Sequence, residues 1–381
     1  MRPPVYLDYN ATTPVAPEVF AAMRPWFEER FGNPSSSHFF GQPARQAVAQ
    51  ARGDVAALVH ARNDEIFFTG SATEADNLAL LGVAHALPEK RHLIVSAIEH
   101  PAVTQPARHL ERSGWEVTIV GVDTMGRVSP ADVAAALRPD TALVSVMHAN
   151  NEVGTIQQMA EISRLAHANG SLIHTDAAQS AGKVVIDVEE LGVDLLTLAG
   201  HKFYAPKGVG ALYVRHGTPI LPVLFGADQE HGLRPGTENV PHIVGFGAAA
   251  KLAHDTLPKA TRTLSALRDS LRRQLESAVH GLLLNGDPEH CLPNTLHVSF
   301  PGISGKKLLT AVMEEVAASL GSACHSEADA VSGVLAAMGI DAPRARGAVR
   351  FSVGRYTTEN EIDRAVAAIV AAYKRIKTGD K

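Results

Sequence analysis

The segments 171-SLIHTDAAQ-179 and 194-DLLTLAGHK-202 decide the fold. Each opens as a short apolar run of strand length and closes on polar residues, the pattern of a strand buried on both faces whose last side chains meet a ligand. Working outward, similar runs recur in 65-EIFFT-69, 92-HLIVSA-97, 116-EVTIV-120 and 141-TALVSVM-147. Between strands lie 43-PARQAVAQARGDVAALV-59 and 130-PADVAAALR-138, whose apolar residues recur at three- and four-residue spacing as in covering helices. The alternation predicts an α/β fold, a mostly parallel sheet wrapped by helices. Ligands of such sheets bind beyond the carboxyl ends of the strands, and the polar clusters fall there. Further along, a helical stretch over about 241–280 leads into 294-NTLHVSF-300, a helix over 304–316, a strand at 347-GAVRFSV-353 and a final helix. We expect a large domain over 14–255 and a smaller α+β domain from 1–13 and 256–381, with the extended opening packed on the C-terminal part.

Asp176 and Lys202 stand at the two deciding strand ends. A lysine amine can form a Schiff base with an aldehyde, and a buried aspartate can keep a pyridine nitrogen protonated so that the ring withdraws electrons. Together they point to pyridoxal 5'-phosphate. Each alone has a plainer reading, Lys202 as a surface lysine after a turn and Asp176 as a helix cap. The apolar run ahead of Lys202 favours an amine delivered into a desolvated pocket. Parallel neighbours lie about 4.8 Å apart, so two such ends can face one ring. Gln179 can then reach the ring's phenolic oxygen, and His100, after 92-HLIVSAIE-99, is set to stack on the ring. For the phosphate, 69-TGSATEADN-77 offers Ser71, Ala72 and Thr73 at a helix N-terminus, where free N–H groups and the dipole favour an anion. An ordinary capped helix would read the same way. His201 adds a further phosphate contact. Metal binding by His100, His148, His174 and His201 is the competing account, unsupported by any H-x-x-x-H or C-x-x-C pair.

Of the two cysteines, Cys291 sits in an apolar setting, whereas Cys324 lies in 321-GSACHSEADAVSG-333, a small and polar stretch that predicts a mobile loop. A thiolate is the reactive form of cysteine, and His325 or His100 is near enough in the reading to relay its proton. Arg350 and Arg355 flank 351-FSVG-354, where a guanidinium can clamp an amino-acid carboxylate bidentately; surface ion pairing is the plainer alternative for either. The net charge of −5 is spread along the chain, which argues against nucleic acid and anionic lipid as partners. Two cysteines make no disulfide framework, the opening residues lack a signal-peptide pattern, and no apolar run approaches the roughly 18 to 20 residues that span a bilayer. A soluble, cytoplasmic protein is expected.

Taken in order, 6-YLDYNATTP-14, 32-GNPSSSH-38, 69-TGSATEADNLAL-80, 99-EHPAV-103, 148-HANNEVG-154, 174-HTDAAQSAGK-183, 200-GHKFYAPKGVGALYVR-215, 234-RPGTEN-239, 321-GSACHS-326 and 349-VRFSVGRYTT-358 cover nearly the whole chain. They resemble the class V, fold-type I pyridoxal phosphate enzymes, specifically the cysteine desulfurases and their near relatives the selenocysteine lyases. The resemblance implies that Lys202 carries the cofactor, Asp176 pairs with its pyridine nitrogen, Gln179 meets its phenolic oxygen and His100 stacks on it. Ala72, Thr73 and His201 would hold the phosphate, joined by Thr237 from a partner subunit, so that a homodimer follows by analogy. Arg350 would hold the substrate carboxylate with help from Asn151, with Asn10 nearby, and Cys324 would carry a persulfide for transfer to an acceptor protein or small thiol. L-Cysteine or L-selenocysteine would be the substrate and L-alanine the product, a chemistry that feeds iron–sulfur cluster assembly in many relatives.

Several positions depart from that pattern. T-G-S-A-T-E replaces the frequent T-S-G-A-T-E, Ala199 stands where many desulfurases carry a phosphate-contacting serine, 225-FGADQE-230 replaces a glycine-rich segment, and His297 stands where asparagine is usual. A-C-H-S with R-P-G-T-E-N leans toward the selenocysteine lyases, although such differences are also scattered among bacterial desulfurases. Cysteine desulfurase is the expected activity and selenocysteine lyase the alternative. Another fold-type I enzyme, such as a transaminase or kynureninase-like hydrolase, would have no use for a mobile cysteine. A non-enzymatic sulfur-transfer scaffold would not need the cofactor set.

Overall fold

The computed structural model describes residues 3–321 and 332–379. After β1 (Val5–Tyr6), the chain builds a central sheet from β2 (Ile66–Thr69), β3 (His92–Ser96), β4 (Glu116–Val120), β5 (Thr141–Ser145), β6 (Leu172–Asp176), β7 (Leu195–Ala199) and β8 (Gly210–Val214). Their order across the sheet is β2-β8-β7-β6-β5-β3-β4. Pairing is parallel from β4 through to β7, and β8 runs antiparallel to both of its neighbours. The strands β3, β5, β7 and β8 are buried along their whole length, as continuous apolar runs require when both faces are covered. At the edge, β4 is partly open to solvent, with only Val120 buried.

Helices cover the two faces because successive strand residues point to opposite sides. On one face Ile94, Val144, Ile173, Leu196 and Leu198 pack with Val48 and Val55 of helix Gly41–Leu58 and with Phe246 of helix Val240–Ala278. On the other, Leu93, Val95, Leu143 and Leu195 pack with Leu78 and Val83 of helix Ala72–Ala86 and Val103 of helix Pro101–Arg112. A separate core gathers around β9 (Leu283–Leu284), β10 (Thr295–Ser299) and β12 (Ala348–Ser352), an antiparallel sheet in the order β12-β10-β9 that is backed by helix Glu359–Thr378.

The opening strand β1 pairs in parallel with β11 (Val316–Ala317), and Asp8 bridges Ser352. Here the sequence reading of a helix over 304–316 needs correction. The helix spans Gly305–Ala311, and Val316, buried at the end of that pattern, is drawn into strand pairing with Val5, a long-range contact that local periodicity cannot register. Among the described residues no helix is long and apolar enough to cross a membrane.

Candidate active site

The carboxyl ends of β6 and β7 open into a cavity of about 540 Å³ that also meets the opening segment, the start of helix Ala72–Ala86 and β12. Lys202 follows β7 in the short turn Gly200–Lys202, and its Nζ donates to the carbonyl oxygens of Asn10 at 2.7 Å and Ala11 at 3.0 Å. Burial, with Arg350 adding to it, pushes the amine down to about 8 against the pull of Asp176 and Asp8. Asp176, buried at the end of β6, accepts the Ala178 N–H at 2.8 Å. Burial raises its pKa, while that N–H, His100 and Lys202 oppose the rise. Each group thus sits in a medium that penalises its charge and would reward an opposite one.

Ser71 caps helix Ala72–Ala86, its Oγ accepting the Glu74 N–H at 3.1 Å. Gly210 on β8 allows this turn to lie down on the sheet, because a Cβ there would come within 2.7 Å of the Ser71 carbonyl carbon and 2.8 Å of the Ala72 nitrogen. Ser71, Ala72 and Thr73 all line the cavity, so the first-turn N–H groups of a 15-residue helix border it. His201 lines it too, with Nδ1 3.2 Å from Thr12 Oγ1; burial and the neighbouring lysines push it down to about 4, which leaves a neutral imidazole. His100 starts helix Pro101–Arg112, its Nδ1 accepting the Ala102 N–H at 3.1 Å. Desolvation lowers its pKa against the pull of Asp176.

Across the cavity the opening segment and β12 supply the remaining groups. Arg350, buried on β12, donates from Nη1 to the carbonyls of Asn151 (2.9 Å) and Gly321 (3.1 Å) and from Nη2 to Asp8 Oδ1 (2.7 Å), while its buried Nε has no partner among the described residues. Asn10 is a hub. Its carbonyl takes Lys202 and also Gln179 Nε2 at 3.0 Å, and its Nδ2 donates to Thr295 Oγ1 at 2.8 Å and the Asn151 carbonyl at 3.3 Å.

Lys202, Asp176, Gln179, His100, Ala72, Thr73, His201, Asn151, Asn10 and Arg350 therefore share one cavity. Thr237 is exposed and lies outside that lining, and Cys324 lies outside the described residues. Arg355 takes the plainer reading, pairing with Glu18 at 2.9 Å on the surface. Cys291 is half-buried with Arg268 Nη1 3.2 Å from its sulfur, and burial pushes its thiol up. His148 and His174 are taken by Ser180 and Ser145 hydroxyls at 2.9 and 2.8 Å, inside the fold.

Sequence reasoning missed three carboxylates. Asp8 answers Arg350 from 342 residues away, a pairing with no local signal. Glu99 accepts Ser96 Oγ at 2.5 Å and the Met147 N–H at 2.8 Å, and burial pushes it up to about 8. Asp76, fully buried 3.5 Å from His174 Nε2, is raised well above the usual carboxylate range by burial and then by Asp176.

The Aminotransferase class-V family model matches residues 5–365. The chain is 44% identical over 380 residues to a protein of Dictyoglomus turgidum named cysteine desulfurase IscS, covering 99% of this chain and 96% of that one. With a cysteine desulfurase IscS of Anaeromyxobacter dehalogenans it shares 48% identity over 370 residues, 96% of this chain and 91% of that one. Among solved structures, a NifS-like protein superposes with a TM-score of 0.91 at 38% identity, covering 98% of this chain and 100% of the other. A structure described as SspA in complex with cysteine superposes with a TM-score of 0.81 at 36% identity, covering 93% and 99%.

Proposed function

The chain belongs to the class-V aminotransferase family, in which it is a pyridoxal phosphate-dependent cysteine desulfurase, and from that premise we propose which of its residues remove sulfur from L-cysteine. The observation that carries the assignment is the convergence of Lys202, Asp176 and the helix turn at 71–73 on one cavity. The donor set fits the cofactor: an amine with its pKa lowered to about 8, a buried carboxylate, and N–H groups at a helix N-terminus over a glycine that keeps the turn low. Bound there, pyridoxal phosphate supplies an aldehyde for amine capture and a protonated ring that withdraws electrons from the substrate α-carbon.

Lys202 would anchor the cofactor, and its free amine would take the α-proton of the substrate, a task suited to an amine with its pKa lowered to about 8. Asp176 would hold the pyridine proton, Gln179 would donate to the phenolic oxygen and His100 would lie against the ring. Ala72, Thr73 and His201 hold the phosphate. Ala199 offers no hydroxyl at the end of β7, so that contact falls to the helix turn. Arg350 takes the substrate carboxylate, aided by Asn151 and Asn10, while Asp8 holds the guanidinium at Nη2. Cys324 attacks the substrate sulfur as the carbon–sulfur bond breaks. The sulfur stays on the enzyme as a persulfide, and the carbon skeleton leaves as alanine. An acceptor thiol then discharges the persulfide, in service of iron–sulfur assembly as the names of the relatives suggest.

A homodimer in the cytoplasm belongs to this reading. Two features support the dimer: Thr237 is exposed away from its own chain's cavity, and Phe31, Phe39 and Phe225 are exposed at 72%, 81% and 88%, apolar surface that a second copy would cover. The selenocysteine lyase alternative is not favoured, since the relatives named above are cysteine desulfurases. The test is release of alanine and sulfide from L-cysteine by wild type and Cys324→Ala. We expect the variant to keep bound cofactor and lose sulfur transfer, and undiminished sulfur transfer by the variant would remove Cys324 from the mechanism.

A further inference from the structure

Behind Gln179 stands a buried lysine that the reaction as described does not use. The Lys183 Nζ lies 2.9 Å from Gln179 Oε1 and 3.4 Å from Asn10 Oδ1, and these are its polar partners among the described residues. The main chain of Lys183 is fastened as well, its carbonyl accepting Thr261 Oγ1 at 2.9 Å from helix Val240–Ala278. Gln179 lines the cofactor cavity, whereas Lys183 lines a second, mostly apolar cavity of about 300 Å³ on the other side, between that helix and Tyr9 and Tyr204. The lysine therefore supports the wall of the active site from behind.

We propose that Lys183 is a positioning residue that holds the carbonyl end of the Gln179 carboxamide, so that the amide's N–H end serves the phenolic oxygen of the cofactor. The inference rests on the assignment of Gln179 made above. A carboxamide has two ends of nearly equal shape and opposite chemistry, and only its partners decide which way it turns. Lys183 donates to Oε1, and the Asn10 carbonyl, which can only accept, takes one hydrogen of Nε2 at 3.0 Å. The second hydrogen of Nε2 is left for the cavity. The Asn10 carbonyl also receives the free amine of Lys202 at 2.7 Å. Burial, with Lys202 and Arg350 adding to it, lowers the Lys183 pKa well below the usual lysine range, and the amine donates to Oε1 in either protonation state. Without Lys183, Oε1 is a buried carbonyl with no donor, and the amide satisfies it by turning the oxygen into the cavity.

The measurement is the pH titration of the visible absorption band of the bound cofactor in holoenzyme, for wild type, Gln179→Ala, Lys183→Met and the double variant. An N–H on the phenolic oxygen stabilises its negative charge most once the adjoining Lys202 linkage has lost its proton, so removing it raises the titration midpoint. We expect Gln179→Ala and Lys183→Met each to raise the midpoint by about 0.5–1 pH unit, the size of one hydrogen bond. The double variant should move no further than Gln179→Ala alone, because one residue acts through the other. Lys183→Gln, which keeps a neutral donor, should return the midpoint toward wild type. It and Lys183→Leu carry the same cycle if Lys183→Met does not load cofactor. An unmoved midpoint in Lys183→Met, or additive shifts in the double variant, overturns the inference while Gln179 keeps its role. An unmoved midpoint in Gln179→Ala overturns the assignment of Gln179 itself, and Lys183 falls with it.

Discussion

The two sides of the cavity hold their charges in opposite ways. At the carboxyl edge of the central sheet, burial has pushed Lys202 down to about 8 and Glu99 up to about 8, and raised Asp176 and Asp76, so that charge there is disfavoured relative to water and a partner of opposite sign is rewarded. On the three-stranded sheet, Arg350 is already paired with Asp8 at 2.7 Å and tied to two carbonyls. In the function proposed above, the sheet edge is a socket that gains on filling, whereas the arginine is a clamp that would share its guanidinium between a resident carboxylate and an incoming one. Asp8, itself only partly buried, shares the Arg350 guanidinium with those two carbonyls and fixes its orientation.

The largest test of this contrast falls on the socket. Lys202→Ala should lower alanine release by at least about 10⁴-fold at saturating cofactor, since anchor and proton acceptor go together. Activity above a hundredth of wild type would show that the socket is filled in another way. On the clamp, Arg350→Lys keeps the charge but not the planar fork, and should lower kcat/KM by about 10–100-fold, mostly through KM. A loss confined to kcat would mean that the arginine acts on the reacting bonds and not on the carboxylate. The smallest effect is a displacement along the pH axis. The rate at which cofactor-free enzyme takes up pyridoxal phosphate should rise with pH and level off above about 8. The neutral amine is the attacking form: at pH 7 about a tenth of Lys202 is neutral, against about one in three thousand for an ordinary lysine. A rate still climbing beyond pH 9 would place Lys202 among ordinary lysines and dissolve the contrast.

The socket was largely legible in the sequence, whereas of the clamp only Arg350 could be read and its partner Asp8 could not. Strands buried on both faces write themselves as unbroken apolar runs, so β3, β5, β6 and β7 and the polar residues at their exits can be read directly, Asp176 and Lys202 among them. The strand β8, which runs against its neighbours, carries the same apolar signature, but nothing local in 210-GALYV-214 announces its direction. The hub at Asn10 is a contact among residues 10, 151, 179, 202 and 295, assembled only when the opening segment crosses between the two cores. Asp8 and Lys183 sat inside quoted motifs without being assigned a task, because a carboxylate beside tyrosines and a lysine after glycine look like surface residues until their burial and partners are known. The helix read over 304–316 failed at its end for the same reason, since the partner of Val316 lies at Val5.

Helix Val240–Ala278 sets Phe246, Ala249 and Ala250 in the core of the central sheet and Leu264, Leu267, Leu271 and Leu275 in the core of the smaller one. Its 39 residues run about 58 Å at 1.5 Å per residue. In thermodynamic terms it makes the two cores shareholders in one structure: melting either strips apolar cover from a helix that the other needs. Cofactor bound at the central sheet therefore adds to the stability of the sheet that carries Arg350, by mass action on a shared unfolding equilibrium and without any change in shape.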